Sequence, residues 1–134
     1  MSRIGLEERL ARHRFGWVVE PLLEEPSLLV KPMFGCLACY VHGRLMLVLA
    51  DRRPPWRGLL VPTSVERQAA LRAVVPGLTV HRVLRKWLVL ADGHVEFEAA
   101  AVRLARLAGA DDPRLGVEPR PTRRPQVRRR ISRS

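Results

Sequence analysis

Lys31-Pro-Met-Phe-Gly-Cys-Leu-Ala-Cys-Tyr-Val-His-Gly-Arg-Leu-Met-Leu-Val-Leu-Ala-Asp51 is the stretch that decides the fold. Two nearly unbroken apolar runs flank His42-Gly43, and a two-residue loop ending in Gly between β-prone segments is the strongest short-range signal for a hairpin. His tolerates the positive φ that such a loop demands. Both alternating sets are apolar: Cys36, Ala38 and Tyr40 against Leu37, Cys39 and Val41, then Leu45, Leu47 and Leu49 against Met46, Val48 and Ala50. Neither face of this hairpin can be left in water, so the sequence predicts a central hairpin covered by helices.

Working outward, Ala11, Phe15, Val18 and Leu22 recur at steps of four, three and four, which predicts an amphipathic first helix from Leu6 to about Glu20. Pro21 ends or kinks it, and Pro26 and Pro32 frame an extended approach to the sheet. After the hairpin, Arg52 to Gly58 reads as a loop by its prolines and glycine, and Leu59-Leu60-Val61 as a short strand. Thr63 and Glu66 have the spacing of a capping box opening a second helix, Ser64 to Val74, that stops at Pro76-Gly77.

Leu78 to Leu90 is β-prone, as one bent strand or two. Asp92-Gly93 ends it, and Phe97, Ala101, Leu104 and Ala108 mark a third helix closed by Gly109. This order predicts an α+β fold: a mostly antiparallel sheet of four to five strands packed by about three helices.

The chain has 134 residues, 47% of them hydrophobic, which suits one compact domain, residues 1–118, with a tail, residues 119–134. From Pro119 the composition turns to Pro, Arg, Ser and Thr, too poor in apolar residues to offset the roughly 1 to 2 kcal/mol of backbone entropy lost per ordered residue, so the tail is expected to be disordered. No apolar run reaches membrane-spanning length and the N-terminus lacks a signal-peptide core, which predicts a cytoplasmic protein with no membrane partner. The net charge of +11 is uneven: seven of the 24 Lys and Arg residues follow Glu118, leaving 17 against 13 acidic residues, or +4, on the body.

Lys31, Met33-Phe34-Gly35, Tyr40, Gly43 at the turn and Ala50-Asp51 closing the second strand resemble the core signature of the TfoX (Sxy) N-terminal domain, over roughly Leu6 to Ala108. The resemblance implies an α+β layer of the YjbR or secretion-chaperone type and, in longer relatives, a role in regulating natural competence. It brings no catalytic residues. Cys36 stands where the family often has a second glycine and Pro62 where it often has a lysine, and an Arg-rich stretch takes the place of the regulators' separate C-terminal domain. What transfers is the scaffold.

Chemistry-bearing patterns are few. Cys36 and Cys39 have C-x-x-C spacing, but within a strand residues three apart face opposite ways, and no helix follows to lower a thiol pKa. The histidines His13, His42, His81 and His94 do not complete a zinc pattern with them, so no metal or other cofactor is implied. No serine sits in a nucleophile elbow, Glu96 and Glu98 face apart on a helix, and no phosphate loop is present, so the sequence favours a non-enzymatic protein.

Basic residues do interleave with aromatic ones: Arg52, Arg53 and Arg57 around Trp56, Arg82, Arg85 and Lys86 flanking Trp87, and Arg123, Arg124, Arg128, Arg129 and Arg130 in the tail. That pattern suits sequence-independent contact with nucleic acid or another polyanion, by phosphate neutralisation and base stacking. Two other classes stay open at this level: a thiol or metal protein using Cys36 and Cys39, and a protein-binding adaptor or homodimer pairing through a strand edge.

Overall fold

A computed structural model describes residues 3–119, with the backbone alone for Arg3 and Ile4. The chain runs through helix α1 (Arg3–Arg12), a 3₁₀ segment (Gly16–Leu22), strands β1 (Leu29–Met33), β2 (Cys36–Val41), β3 (Arg44–Asp51) and β4 (Arg57–Val61), helix α2 (Val65–Val74), strands β5 (Thr79–Val80) and β6 (Leu88–Ala91), and helix α3 (Phe97–Gly109). The six strands form one antiparallel sheet in the order β1-β2-β3-β4-β6-β5. The fold is α+β. The tail, with its expected disorder and its arginines, lies outside the described residues from Arg120 onward.

The hairpin forms where the sequence places it. Val41 faces Arg44, and His42 and Gly43 take φ of 55° and 81°, the two positive values of a type I′ turn. The same turn occurs once more, unforeseen. Met33 faces Cys36, with Phe34 and Gly35 between them at φ 56° and 74°. Lys31-Pro32-Met33 is therefore part of a strand, and Pro32 is accommodated because β1 lies at the sheet edge, where a missing N–H breaks no ladder.

One irregularity redistributes the core. Tyr40 faces Leu45 while Cys39 faces Leu47, so Met46 is an extra residue, a β-bulge. Leu45 consequently packs with one buried cluster, and Met46 and Leu47 together with the other. Strict alternation along β3 thus fails at its first turn and resumes from Leu47.

Every buried hydrophobic side chain of the helices belongs to one cluster: Leu6 and Leu10 of α1, Val18, Val19 and Leu22 of the 3₁₀ segment, Leu71 of α2 and Leu104 of α3 among them, packed with Val30, Cys39, Val41, Leu49, Val61 and Leu90 of the sheet. The opposite face, with Cys36, Ala38, Leu45, Val48, Ala50, Leu60 and Val89, is packed by Met33, Tyr40, Trp56, Trp87 and Val117 instead. Both faces are buried as the sequence demands, but helices cover only one.

Val117 reaches that second face on a strap. Leu45 and Val117 exchange backbone hydrogen bonds of 2.9 and 3.1 Å. Arg44 donates from Nη1 to the Leu115 carbonyl (2.7 Å) and from Nη2 to Asp111 Oδ1 (2.8 Å), and Arg67 donates to the carbonyls of Pro113 (2.6 Å) and Gly116 (2.8 Å). Thr63 is spent here too, because its Oγ1 donates to the Arg114 carbonyl at 2.6 Å. The expected capping box does not form: Ser64 precedes α2, and its Oγ accepts from Arg67 Nε rather than from a helix N–H.

The first helix is shorter than its periodicity suggests. α1 ends at Arg12, and the apolar pattern continues through a 3₁₀ segment that contains Pro21. Gly16 explains the break, since it lies so close to α1 that a Cβ there would overlap the Leu10 carbonyl oxygen. Gly16→Ala is expected to cost about 2 kcal/mol or more in urea unfolding, because backbone must move, whereas Gly93→Ala, with open space around it, is expected to stay within about 0.5 kcal/mol.

Candidate functional site

One end of the sheet gathers several basic side chains. The β1–β2 turn (Phe34, Gly35) and the β3–β4 loop enclose an open groove of about 990 Å³ lined by Phe34, Asp51, Arg52, Arg53, Trp56 and Arg57 among others. The Arg52 guanidinium rests against Gly35, in the space a side chain there would fill. On the other flank of Gly35 a hollow of about 230 Å³ is lined by Arg9, Arg12, His13 and Cys36. The same turn thus carries arginines on both sides.

Acidic groups pin part of this cluster. Arg57 donates from Nε to Asp92 Oδ2 at 2.9 Å and has Asp51 at 3.8 Å, and Arg14 approaches Asp92 at 3.7 Å. Arg57 is therefore a clip between β4 and the end of β6, whereas the exposed Arg52 and Arg53 form no ion pair among the described residues. Arg82 joins the cluster by donating to the Pro54 carbonyl at 3.2 Å. Five arginines (9, 12, 52, 53 and 57) thus line the two hollows flanking the β1–β2 turn, against one aspartate, Asp51.

The aromatic residues of the groove have different tasks. Trp56 is half-buried against the second core, and its ring meets His81 edge-on at 4.6 Å between centroids. Phe34 touches Trp56 at 6.2 Å yet remains 64% exposed. A non-glycine residue at positive φ, aromatic and in water, is uncommon, and such backbone typically costs about 1 to 3 kcal/mol.

Of the residues singled out from the sequence, Arg52, Arg53, Trp56 and Arg57 come together in this groove. Arg85 and Lys86 do not line it; their carbonyls each accept from Gln68 Nε2 of α2 at 3.0 Å. Arg123, Arg124, Arg128, Arg129 and Arg130 lie outside the described residues. Sequence reasoning missed Phe34, Arg9 and Arg12 as groove residues, and it placed Arg82 beside Trp87 rather than at the Pro54 carbonyl. Only the repeated X-Gly dipeptide, Phe34-Gly35 before His42-Gly43, hinted at the turn, and nothing linked α1 to it.

The cysteines are placed apart. Cys36 packs in the cluster covered by aromatic residues and Cys39 in the helix-covered one, on opposite faces. Residues three apart on a strand are separated by roughly 10 Å, beyond the span of a disulfide. Burial pushes the Cys39 thiol up to about 12; it also raises that of Cys36, with nearby Arg52 opposing. Neither is a ready thiolate at neutral pH. After exposure to oxidised dithiothreitol, both thiols are expected to be counted free on unfolding; an intramolecular disulfide would contradict this placement.

Histidines here act as local caps. Nδ1 of His13 accepts from the Phe15 N–H (3.0 Å), that of His94 from the Glu96 N–H (3.0 Å), and that of His81 from the N–H groups of Val83 (3.1 Å) and Leu84 (2.9 Å). His42 Nε2 meets the Gly109 carbonyl at 2.9 Å. Among the described residues, no three His, Cys, Asp or Glu side chains converge as a metal's donor set would. The sheet edges are also blunted: β1 carries Lys31 and Pro32, and β5 has two residues, so neither offers a long free edge to a partner strand.

The chain matches no protein-family model, no curated protein and no solved structure. No helix among the described residues is long and apolar enough to cross a membrane.

His81 is fully buried, its Nε2 has no hydrogen bond, and burial holds its pKa below the ordinary 6.5; the Pro55 carbonyl favours a proton without forming a hydrogen bond, and Arg82 disfavours one. A depressed folded-state pKa means that stability is complete above pH 6.5 and falls as the unfolded chain takes up a proton the folded chain resists. Urea midpoints are expected to fall from pH 7.5 to 5.5. His81→Asn keeps an acceptor at the same place and is expected to flatten that slope, leaving the share of His13, whose pKa burial also lowers.

Proposed function

We propose that this chain is a non-catalytic, cytoplasmic binding module of the TfoX N-terminal type, which contacts nucleic acid without sequence preference through the arginine end of its sheet and through its Arg-rich tail. The observation that carries this reading is the convergence of five arginines and two groove aromatics around the β1–β2 turn, with Arg52 and Arg53 exposed and free of ion pairs among the described residues. Guanidinium groups pair well with phosphate oxygens, and each phosphate neutralised releases counterions. The polar side chains of α2 are spent within the fold, Arg67 on the Pro113 and Gly116 carbonyls, Gln68 on those of Arg85 and Lys86 and Arg72 on that of Leu78, which favours backbone contact over base readout in a groove.

The strap supports a two-point arrangement. Val117 pairs with Leu45 at the start of β3, and the groove opens at the far end of the same strand, beyond Asp51. Six residues of strand separate them by roughly 20 Å. A polyanion long enough to span that distance gains from both contacts at once, through effective concentration.

Fluorescence anisotropy of labelled oligonucleotides across a salt series tests the reading. The full chain is expected to bind, with affinity falling steeply as salt rises. Ending the chain at Glu118 and, separately, Arg52→Ala with Arg53→Ala are each expected to lower the slope of log K against log salt by about 0.7 to 0.9 for every phosphate contact removed. No binding at low salt would overturn the proposal.

A further inference from the structure

The groove distinguishes between forms of nucleic acid. We infer that it takes an unpaired base, stacked on Phe34, so that single strands are preferred to duplex; this rests on the reading of the arginine end as a nucleic-acid site and narrows it. Phe34 is the reason. It is an aromatic ring 64% exposed, held at the tip of a type I′ turn with φ 56°, where Asn or Gly would relieve the backbone. Neither fold nor core requires that ring: it belongs to neither buried cluster.

Its surroundings fix what it can meet. Trp56 stands edge-on to it across the groove, and Trp56 is in turn braced by His81, which is fully buried. The β1–β2 turn is held by paired strands on both sides, so the ring's backbone is set by the sheet rather than by a loop. Arg52 lies against Gly35, next to Phe34, and Arg53 follows on the groove wall. An aromatic face with guanidinium groups beside it matches a nucleotide, whose base stacks while its phosphate pairs. A duplex keeps its base faces stacked on one another and offers this ring nothing.

An acidic polypeptide would satisfy the arginines but leave Phe34 without a planar partner, and it is therefore an outcome of the test. The probe is a labelled twelve-residue oligothymidylate, compared with a duplex of the same length, against the full chain. The wild-type protein is expected to bind the single strand more tightly than the duplex. Phe34→Asn, which suits the turn and is expected to leave the thermal midpoint equal or higher, should weaken single-strand binding about tenfold and leave duplex binding and the salt slope nearly unchanged. Phe34→Tyr keeps a stacking face and should retain the preference, which separates lost stacking from a damaged turn.

Equal affinity for the two forms, or single-strand binding untouched by Phe34→Asn, would overturn the inference while leaving the arginine end as a nucleic-acid site. Displacement of the strand by polyglutamate as readily as by unlabelled oligothymidylate would overturn it in favour of an acidic polypeptide. Failure of both probes to bind at low salt would remove the underlying reading as well.

Discussion

A sheet with apolar side chains on both faces must be covered twice, and the described residues supply helices for only one side. Each helix contributes its buried hydrophobic side chains to the same cluster. The other face holds Ala38, Val48, Ala50 and Leu60 at zero exposure, with Met33, Tyr40, Trp56, Trp87 and Val117 packed against them. That requirement organises the periphery. Trp56 has to lie over the sheet, so the β3–β4 loop that carries it is drawn in. Val117 has to arrive there too, so the segment after α3 is strapped down by Arg44 and Arg67. His81 is buried as the brace of Trp56, and a neutral ring there is the least costly state because a buried charge would be unpaired.

Covering the second face from loops has an electrostatic consequence. The β3–β4 loop brings Arg52, Arg53 and Arg57 with it, and the 81–87 connection brings Arg82 to the Pro54 carbonyl. The break at Gly16 folds the 3₁₀ segment back on α1, and Arg9 and Arg12 come to line the far flank of Gly35. Like charges so gathered repel by about 1 kcal/mol or less per pair at exposed positions, and Asp51 and Asp92 offset part of it. The rest of the potential faces outward. At physiological ionic strength its range is roughly 8 Å, enough to act on a polyanion at the groove but not across the sheet.

How far the sequence could be followed depends on the range of the interaction concerned. The His42-Gly43 hairpin, α2, its stop at Pro76-Gly77 and α3 were all readable because turn chemistry and periodicity are local. β1 was missed because proline and lysine are poor strand formers, and only an edge position makes them acceptable. The bulge at Met46 leaves no mark, since Leu, Met and Leu suit either face. Thr63 looked like a cap because Glu66 follows at the right distance, but a carbonyl 51 residues away claims its hydroxyl. In the groove, Arg52 to Arg57 were visible as a cluster, being contiguous. Arg9 and Arg12 were not, because the contact that brings them to Gly35 depends on where α1 ends.

The turns themselves sharpen the contrast between structural and functional residues. Phe34-Gly35 and His42-Gly43 share one geometry, the same pair of positive φ values, within one sheet. His42 is employed by the fold, with its ring at the Gly109 carbonyl and its N–H on Ser27 Oγ at 2.8 Å, so the second residue type is explained by what it holds. Phe34 holds little: one edge contact with Trp56, worth about 0.5 to 1.5 kcal/mol, set against a backbone cost of the same order. A side chain whose contribution to stability is near zero stands in water beside Arg52 and Arg53, which form no ion pair among the described residues, and the fold gives no reason for its aromatic ring. Because the strain and the exposure fall on one residue, the turn can be relaxed without disturbing the sheet, which makes the two roles separable in this protein.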